Sequence, residues 1–207
     1  MTTADSDEPR AYHHGDLRRA LVQAALDILD EEQNWEFTLR EVARRAGVSH
    51  AAPYKHFADK RDLLAAVAAV GFERLGGAMA AVAESESDPL ARFGKMGEAY
   101  VAFAVAHPAH FRLMFGPTLA DSPNAALRTH AEAAYQGLRS AVQHCADAGR
   151  LPAQDVNLQT LAAWSQVHGL AMLLIDGRVG AVTRGEISAE SLAAAVTRSF
   201  AARLGRC

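Results

Sequence analysis

The stretch TLREVARRAGVSHAAPYKHFADKRDLL, residues 38–64, contains the local signals that decide the fold. Thr38 is a suitable N-cap for a short helix, and Glu41 follows at the spacing that a capping box requires. Gly47 ends this helix, because glycine adopts a positive φ at little cost. Ser49 is the next N-cap and predicts a short third helix over about 50–56. Two short helices joined by the turn 46–49 predict a helix-turn-helix.

Helical patterns continue on both sides of this stretch. Asp16 is the predicted N-cap of a first helix that ends near Glu32, and Asp59 caps a long helix that fades by Ser85. Further helices are predicted over about 88–107, 109–115, 124–148, 154–176 and 188–204. No stretch shows the alternation of a β-strand, so the sequence predicts an all-α fold of about nine helices. Residues 1–13 lack periodicity and are expected to form a disordered tail.

The composition is that of a globular protein. Half of the 207 residues are apolar and 22% are charged, which excludes a disordered chain. The polar N-terminus has no apolar segment typical of a secretory signal, and the apolar runs end well short of the roughly 18 residues of a membrane span. Cys145 and Cys207 are far apart in sequence and are expected as free thiols. We therefore expect a cytoplasmic protein without a membrane partner.

Positive charge is concentrated in the quoted stretch, although the whole chain has a formal net charge of −3. Between Thr38 and Arg61 only Glu41 and Asp59 are acidic. The basic residues there are Arg40, Arg44, Arg45, Lys55, Lys60 and Arg61. Such a segment suits DNA, because a short helix can enter a major groove while the surrounding cations bind phosphates.

The quoted stretch resembles the DNA-binding domain of TetR-type repressors over about residues 14–75. The matches at fixed spacing are Thr38, Val42-Ala43, Ala46-Gly47-Val48-Ser49, Tyr54, His56-Phe57, Lys60 and Leu63-Leu64. The resemblance implies a three-helix helix-turn-helix domain joined by a long helix to a C-terminal helical domain, residues 76–207, that binds a ligand and dimerises. It implies a homodimeric regulator that binds double-stranded operator DNA, responds to a small, partly apolar effector and needs no cofactor.

The resemblance also assigns roles to single positions. The predicted phosphate contacts are Thr38, Tyr54, His56 and Lys60. The predicted base-edge positions are Arg40, His50, Ala51, Ala52 and Lys55, and Ser49 completes the predicted DNA-binding set. Pro53 departs from the family pattern, which usually has Leu or Phe there. Because proline lacks an N–H and disfavours the α conformation in the residue before it, we expect a recognition helix that is tight or partly 3-10 in its first turn.

The C-terminal two-thirds of the chain give weaker signals. Segments 107–115 and 164–169 resemble a C-terminal domain of one TetR subgroup, named for a Trp-His-Gly motif. This resemblance implies a ligand pocket between the middle helices, although each candidate is also a suitable core residue. The pocket candidates are Phe103, Phe111, Met114, Phe115, Trp164, His168 and Met172. The last two long helices are the expected dimer interface, and the candidate seam on the final helix is Leu192, Val196 and Phe200.

Three alternative functions remain open on the sequence. Nine histidines suggest a metal- or haem-binding protein, but His107 and His110 have no Asp, Glu or Cys at a supporting spacing, so no metal site is expected. An enzyme is not indicated, because the chain shows no nucleophile elbow, P-loop or dinucleotide-binding glycine motif. A regulator without a small-molecule ligand cannot be separated from a ligand-released repressor.

Overall fold

A computed structural model describes residues 14–151, 155–180 and 187–204, and this part of the chain contains eight α-helices and no β-strand. They are α1 (His14–Glu32), α2 (Leu39–Arg45), α3 (Lys60–Glu84), α4 (Pro89–Ala106), α5 (Pro108–Phe115), α6 (Ala125–Asp147), α7 (Val156–Ile175) and α8 (Ala189–Leu204). Two 3-10 segments, Pro53–Lys55 and Pro117–Leu119, complete the architecture. The all-α prediction is confirmed. The predicted tail, residues 1–13, lies outside the described residues.

The helix ends follow the local chemistry of the sequence. The side chains of Thr38, Asp59 and Asp88 each accept a backbone N–H from the third residue of the helix that follows, which confirms these N-caps. Gly47 has a φ of 68° at the end of α2, as the prediction of a glycine stop requires. Helix α1 begins at His14, so Asp16 lies in its first turn and not at the cap.

The predicted third helix is a run of turns that ends in a single 3-10 segment. In an α-helix the carbonyl of Ser49 would accept the N–H of residue 53, but Pro53 has none. The Ser49 carbonyl instead accepts the N–H of Ala52 at 2.9 Å, and Ala52 accepts that of Lys55 at 3.2 Å. The prediction that Ser49 caps a helix is therefore wrong, whereas the expected effect of Pro53 is present.

Helix α3 connects the two parts of the molecule. Its first turns pack with α1, which also packs with α2, and this N-terminal head comprises residues 14–70. Leu63 and Val67 in these turns of α3 are fully buried. Its later turns pack against α4 and α6 through Phe72, Leu75 and Met79, and we call residues 71–204 the body. One continuous core thus runs from head to body along a single helix.

Helix α5 crosses α3 at very short range. A Cβ on Gly71 would lie 2.5 Å from Sδ of Met114 and 2.7 Å from Nε2 of His110, so only glycine fits without a shift of its neighbours. The buried His110 donates from Nε2 to the carbonyl of Val67 at 2.8 Å, since a carbonyl can only accept. This contact holds α5 against the middle of α3.

The connection between α5 and α6 is tied to the first turn of α3. Nε of Arg61 donates to the carbonyl of Thr118 at 3.0 Å, and Nδ2 of Asn124 donates to Oδ1 of Asp62 at 3.1 Å. A displacement at the end of α5 would therefore be transmitted to the first turn of α3, which begins at Lys60.

Helices α3 and α7 are long and apolar enough, by length and composition alone, to cross a membrane. Most of α3 is buried inside the protein, which accounts for its apolar composition as that of a core helix. Only 28% of the apolar stretch of α7 is buried, and the exposed leucines of α7 are described with the body below.

Candidate nucleic-acid interface

The start of α2 is fixed by a complete capping box. Oγ1 of Thr38 accepts the N–H of Glu41 at 3.2 Å and donates its own proton to the Glu41 carboxylate at 2.8 Å. Hydrogen bonds from the Thr38 backbone and hydroxyl lower the pKa of Glu41. Thr38 is exposed at its predicted phosphate-contacting position, but its hydroxyl proton is already shared with a carboxylate in the free protein.

The segment after Gly47 has an outer and an inner side. The outward-facing residues are Ser49, His50, Ala51, Tyr54 and Lys55, and 57% of Tyr54 is exposed. Ala52 and Pro53 are buried. The predicted base-edge set is therefore corrected at Ala52, because the 3-10 geometry turns this residue toward the core. Its neighbours at 50, 51 and 55 remain at the surface.

His56 lies at the inner edge of the same segment. Its side chain is half-buried, and Nε2 is buried without a hydrogen-bond partner among the described residues. Its backbone N–H donates to the carbonyl of Pro53 at 3.0 Å. The structure thus places Nε2 away from the surface where a phosphate would bind, in contrast to the role expected for His56.

The basic side chains around this segment differ in whether they form ion pairs within the protein. Both guanidinium Nη atoms of Arg45 donate to the Glu31 carboxylate, which raises the pKa of Arg45 and lowers that of Glu31. Arg40 and Arg44 are exposed on the same helix. Arg40 is accessible at the surface, and its contact with a base stays a prediction.

Two further cations lie over aromatic rings of the head. Nζ of Lys60 is 5.4 Å from the ring centre of Phe37, and the guanidinium of Arg18 is 5.1 Å from that of Phe57. Such contacts fix the stem of a long side chain while its charge remains near water. Lys60 is thereby held at the start of α3, beside residues 49–57, which we call the recognition segment.

Two family profiles match the chain. Residues 21–67 match the family described as bacterial regulatory proteins, tetR family, and residues 93–198 match the tetracyclin repressor-like C-terminal domain. The chain belongs to the TetR family. TetR proteins are DNA-binding transcriptional regulators and not enzymes. The TetR resemblance is confirmed, while neither match confirms the narrower Trp-His-Gly subgroup.

Similarity to known proteins extends over most of this TetR chain. A solved protein of unknown function from Rhodococcus sp. RHA1 is 34% identical, with a TM-score of 0.82 and 95% of this chain and 100% of that chain covered. The TetR family transcriptional regulator PfmR from Thermus thermophilus is 20% identical, with a TM-score of 0.66 over 88% of this chain and 97% of that one. Nucleoid occlusion factor SlmA of Marinobacter nauticus is 22% identical over 78% of this chain and 81% of its own.

The predicted pocket residues of the TetR body fall into two groups. Phe115 and Trp164 line a cavity of about 210 Å³ between α3, α4, α6 and α7. The residues that do not line it are Phe103, Phe111, Met114, His168 and Met172. Phe103 on α4, and Phe111 and Met114 on α5, are buried core residues. At Met114 helix α5 packs directly against Gly71 of α3.

His168 lies behind the cavity wall that Tyr100 and Trp164 form. Its Nδ1 is 2.9 Å from the hydroxyl of Tyr100, which also accepts a hydrogen bond from Nε1 of Trp164 at 3.2 Å. Burial lowers the pKa of His168 and raises that of Tyr100. Tyr100 was not among the predicted pocket residues. Its position opposite Trp164 depends on how α4 packs on α7, and no local pattern in the sequence indicates it.

The predicted dimer seam packs within its own chain. Leu192 and Val196 contact a small buried cluster that includes Val101 and Leu170, and the ring of Phe200 lies 6.5 Å from that of Phe93. Leu192, Val196 and Phe200 remain only half-buried in the single chain, so their role in a dimer interface stays a prediction.

A different apolar face of the TetR body is exposed. Leu158, Leu161 and Leu173 on α7 are each at least half exposed. At 100° per residue they lie within about a third of the helix circumference. Ala162 and Ser165, also exposed, lie between them on the same face. Small residues in the middle of a leucine-bordered face allow two helices to approach closely.

Proposed function

We propose that this TetR protein represses transcription as a homodimer that binds a near-palindromic operator and is released when a small effector binds. The observation that carries the proposal is the two-sided recognition segment. Its outer side presents His50, Ala51 and Lys55, while Ala52 and Pro53 fix it to the core. A groove-sized element with one polar, cationic face and one packed face suits major-groove binding.

Phosphate contacts on both sides of the groove would position this element. Tyr54 and Lys60 supply a hydroxyl and an ammonium at its end. The Thr38 hydroxyl can donate to a phosphate only by turning away from Glu41. Arg40 is exposed on the first turn of α2, and a bidentate contact to guanine would contribute roughly 1–3 kcal/mol of discrimination.

We further propose that the exposed face of α7 forms the dimer interface. Two recognition segments would then read major grooves about 34–36 Å apart, one helical turn of DNA. In this arrangement residues 14–75 bind DNA, and residues 76–207 dimerise and bind the effector. We propose that the protein works in the cytoplasm without a cofactor or metal.

Operator binding tests the DNA half of the proposal. Genomic fragments selected by the purified protein would define the operator, and fluorescence anisotropy on that duplex would give the affinity. If each head neutralises about four phosphates, log K falls with log salt at a slope near −7. A flat salt response would contradict phosphate binding by these heads.

Two single variants separate positioning from sequence recognition. Lys60→Ala should weaken all duplexes alike, whereas Arg40→Ala should relax the preference at one base pair. Unchanged operator affinity in both variants would mean that the recognition segment docks differently.

The dimer interface is tested by introducing negative charges into the exposed face of α7. Leu161→Glu together with Leu173→Glu should shift the protein to a monomer in light scattering and weaken operator binding. Val105→Glu is the matched control, because Val105 is also an exposed apolar residue, at 40%, but lies on α4. A dimer that survives the α7 variant would place the interface elsewhere.

A further inference from the structure

The body contains an apolar cavity whose walls define the kind of molecule that fits. It has a volume of about 210 Å³ and is partly open, and its principal walls are Phe72, Leu75, Phe115, Leu138 and Trp164. Among the described residues, no Asp, Glu, Lys, Arg or His lines it. Burial of an ionised group without a charged or hydrogen-bonding partner is very costly, so the cavity disfavours anions and cations alike.

The polar atoms closest to this cavity are already paired with one another. Trp Nε1 can only donate, so Tyr100 accepts from Trp164 and forms its second hydrogen bond with His168. Tyr135, the other tyrosine on the wall, is partly exposed and therefore accessible to water. The wall thus presents mainly ring faces and methyl groups, and a ligand needs no polar group to replace a lost hydrogen bond.

The volume sets the size of the ligand. An engineered protein cavity of about 150 Å³ binds benzene and stays free of water. A cavity of about 210 Å³ is moderately larger, which corresponds to one ring with a few additional carbon atoms.

A route into the cavity leads between α3 and α6. A groove of about 500 Å³ on the outside of these helices shares Met79 and Ala134 with the cavity. Met79 is nearly fully buried at the boundary, and a methionine side chain changes rotamer easily. Rotation of this one side chain would join groove and cavity.

We propose that the effector is an uncharged, mainly hydrocarbon molecule of about one-ring size that occupies this cavity after passing Met79. This inference rests on the proposed function for its regulatory meaning. Phe115 is the last residue of α5, and the following segment is held to Arg61 of α3 through the Thr118 carbonyl. A ligand that moves Phe115 would therefore act on the helix turn beside Lys60.

The test uses three probes of the same branched one-ring shape and heavy-atom number: isopropylbenzene, acetophenone and benzoate. Binding to the full-length protein is measured without DNA, by calorimetry and by the rise in melting temperature. We expect isopropylbenzene and acetophenone to bind, and benzoate to bind at least about a hundredfold more weakly, because its carboxylate loses hydration. Benzoate binding as tight as that of the neutral probes would overturn the inference.

A pair of variants on α6 assigns binding to this cavity. Ala131→Phe fills the cavity and should abolish binding of both neutral probes. Ala133→Phe is the matched control, because Ala133 lines only the outer groove, and it should retain wild-type affinity. Circular dichroism confirms that both variants are folded. Equal affinity in the two variants, or no binding of any probe to the folded wild type, would overturn the inference.

These measurements are independent of operator binding. A wild type that binds the selected operator but none of the probes would refute the effector class and leave the DNA-binding proposal intact. A wild type that binds the neutral probes with the expected selectivity supports the cavity whether or not the operator is found.

Discussion

The N-terminal head and the body of this TetR protein are organised by interactions of different range. In the head, Thr38, Gly47 and Pro53 act within a few residues of their own positions, through a cap, a positive φ and a missing N–H. In the body, the decisive contacts join distant segments, such as Met114 against Gly71 and Tyr100 against Trp164. The structure of the head can therefore be predicted from one stretch of sequence, whereas the structure of the body depends on which helix faces pack together.

The largest expected loss of stability comes from a substitution in the core of the head. Phe57 is 1% exposed beneath Arg18, so Phe57→Ala should lower the free energy of unfolding by about 3–5 kcal/mol through lost burial and a cavity. Tyr54→Ala, on the outer side of the same segment, should change it by less than about 0.5 kcal/mol while it weakens DNA binding. Urea denaturation measures both. Similar losses in the two variants would contradict the two-sided segment.

The next effect concerns the helix crossing in the body. Gly71→Ala places a Cβ against Met114 and His110, and should destabilise the protein by about 1–3 kcal/mol as α5 moves away. Gly77→Ala is the control on the same helix, since no atom lies within 4 Å of its added Cβ. It should stabilise the protein by about 0.5–1 kcal/mol, because alanine favours a helix. Thermal unfolding that ranks the two variants the other way would mean that α5 does not pack on Gly71.

The sequence predicts positions governed by local chemistry and fails at positions governed by packing. The capping box and the glycine stop were predicted from residue types alone, and so was the 3-10 character at Pro53. Ala52 was misplaced because the tightened turn rotates it inward. Leu192 and Val196 pack partly within their own chain, and their role in a dimer interface stays a prediction, since helical spacing identifies an apolar face but not the helix that covers it.

A moderate effect tests whether the head depends on its cap. Thr38→Ala removes both hydrogen bonds of the hydroxyl and should cost roughly 1 kcal/mol of stability. Thr38→Ser retains the hydroxyl and should remain close to wild type. Urea titrations of the two variants measure the difference. If serine loses as much as alanine, the contribution comes from the methyl group of Thr38 and not from the capping box.

The smallest effect, a dependence of stability on pH, tests the long-range contact of the body. Burial lowers the pKa of His110, and nearby Arg74 and His107 act in the same direction, against the Val67 carbonyl and Asp30. The unfolded chain, in which His titrates near pH 6.5, therefore binds more protons than the folded protein just below that pH. The contribution of neutral His110 to stability is fully present above about pH 6.5. It decreases as the pH falls, by less than about 1.4 kcal/mol per pH unit.

Substitution of the buried histidine should flatten this dependence. His110→Gln is expected to reduce the slope of stability against pH between about pH 7.5 and 5.5, leaving the part that comes from His168, whose pKa burial also lowers. His50→Gln is the control for the loss of one histidine outside the body, since His50 is exposed in the head. A wild-type slope in His110→Gln would show that His110 binds protons equally in the folded and unfolded chain, so that burial does not lower its pKa. The contact of His110 with the Val67 carbonyl would then contribute nothing to the pH dependence of stability.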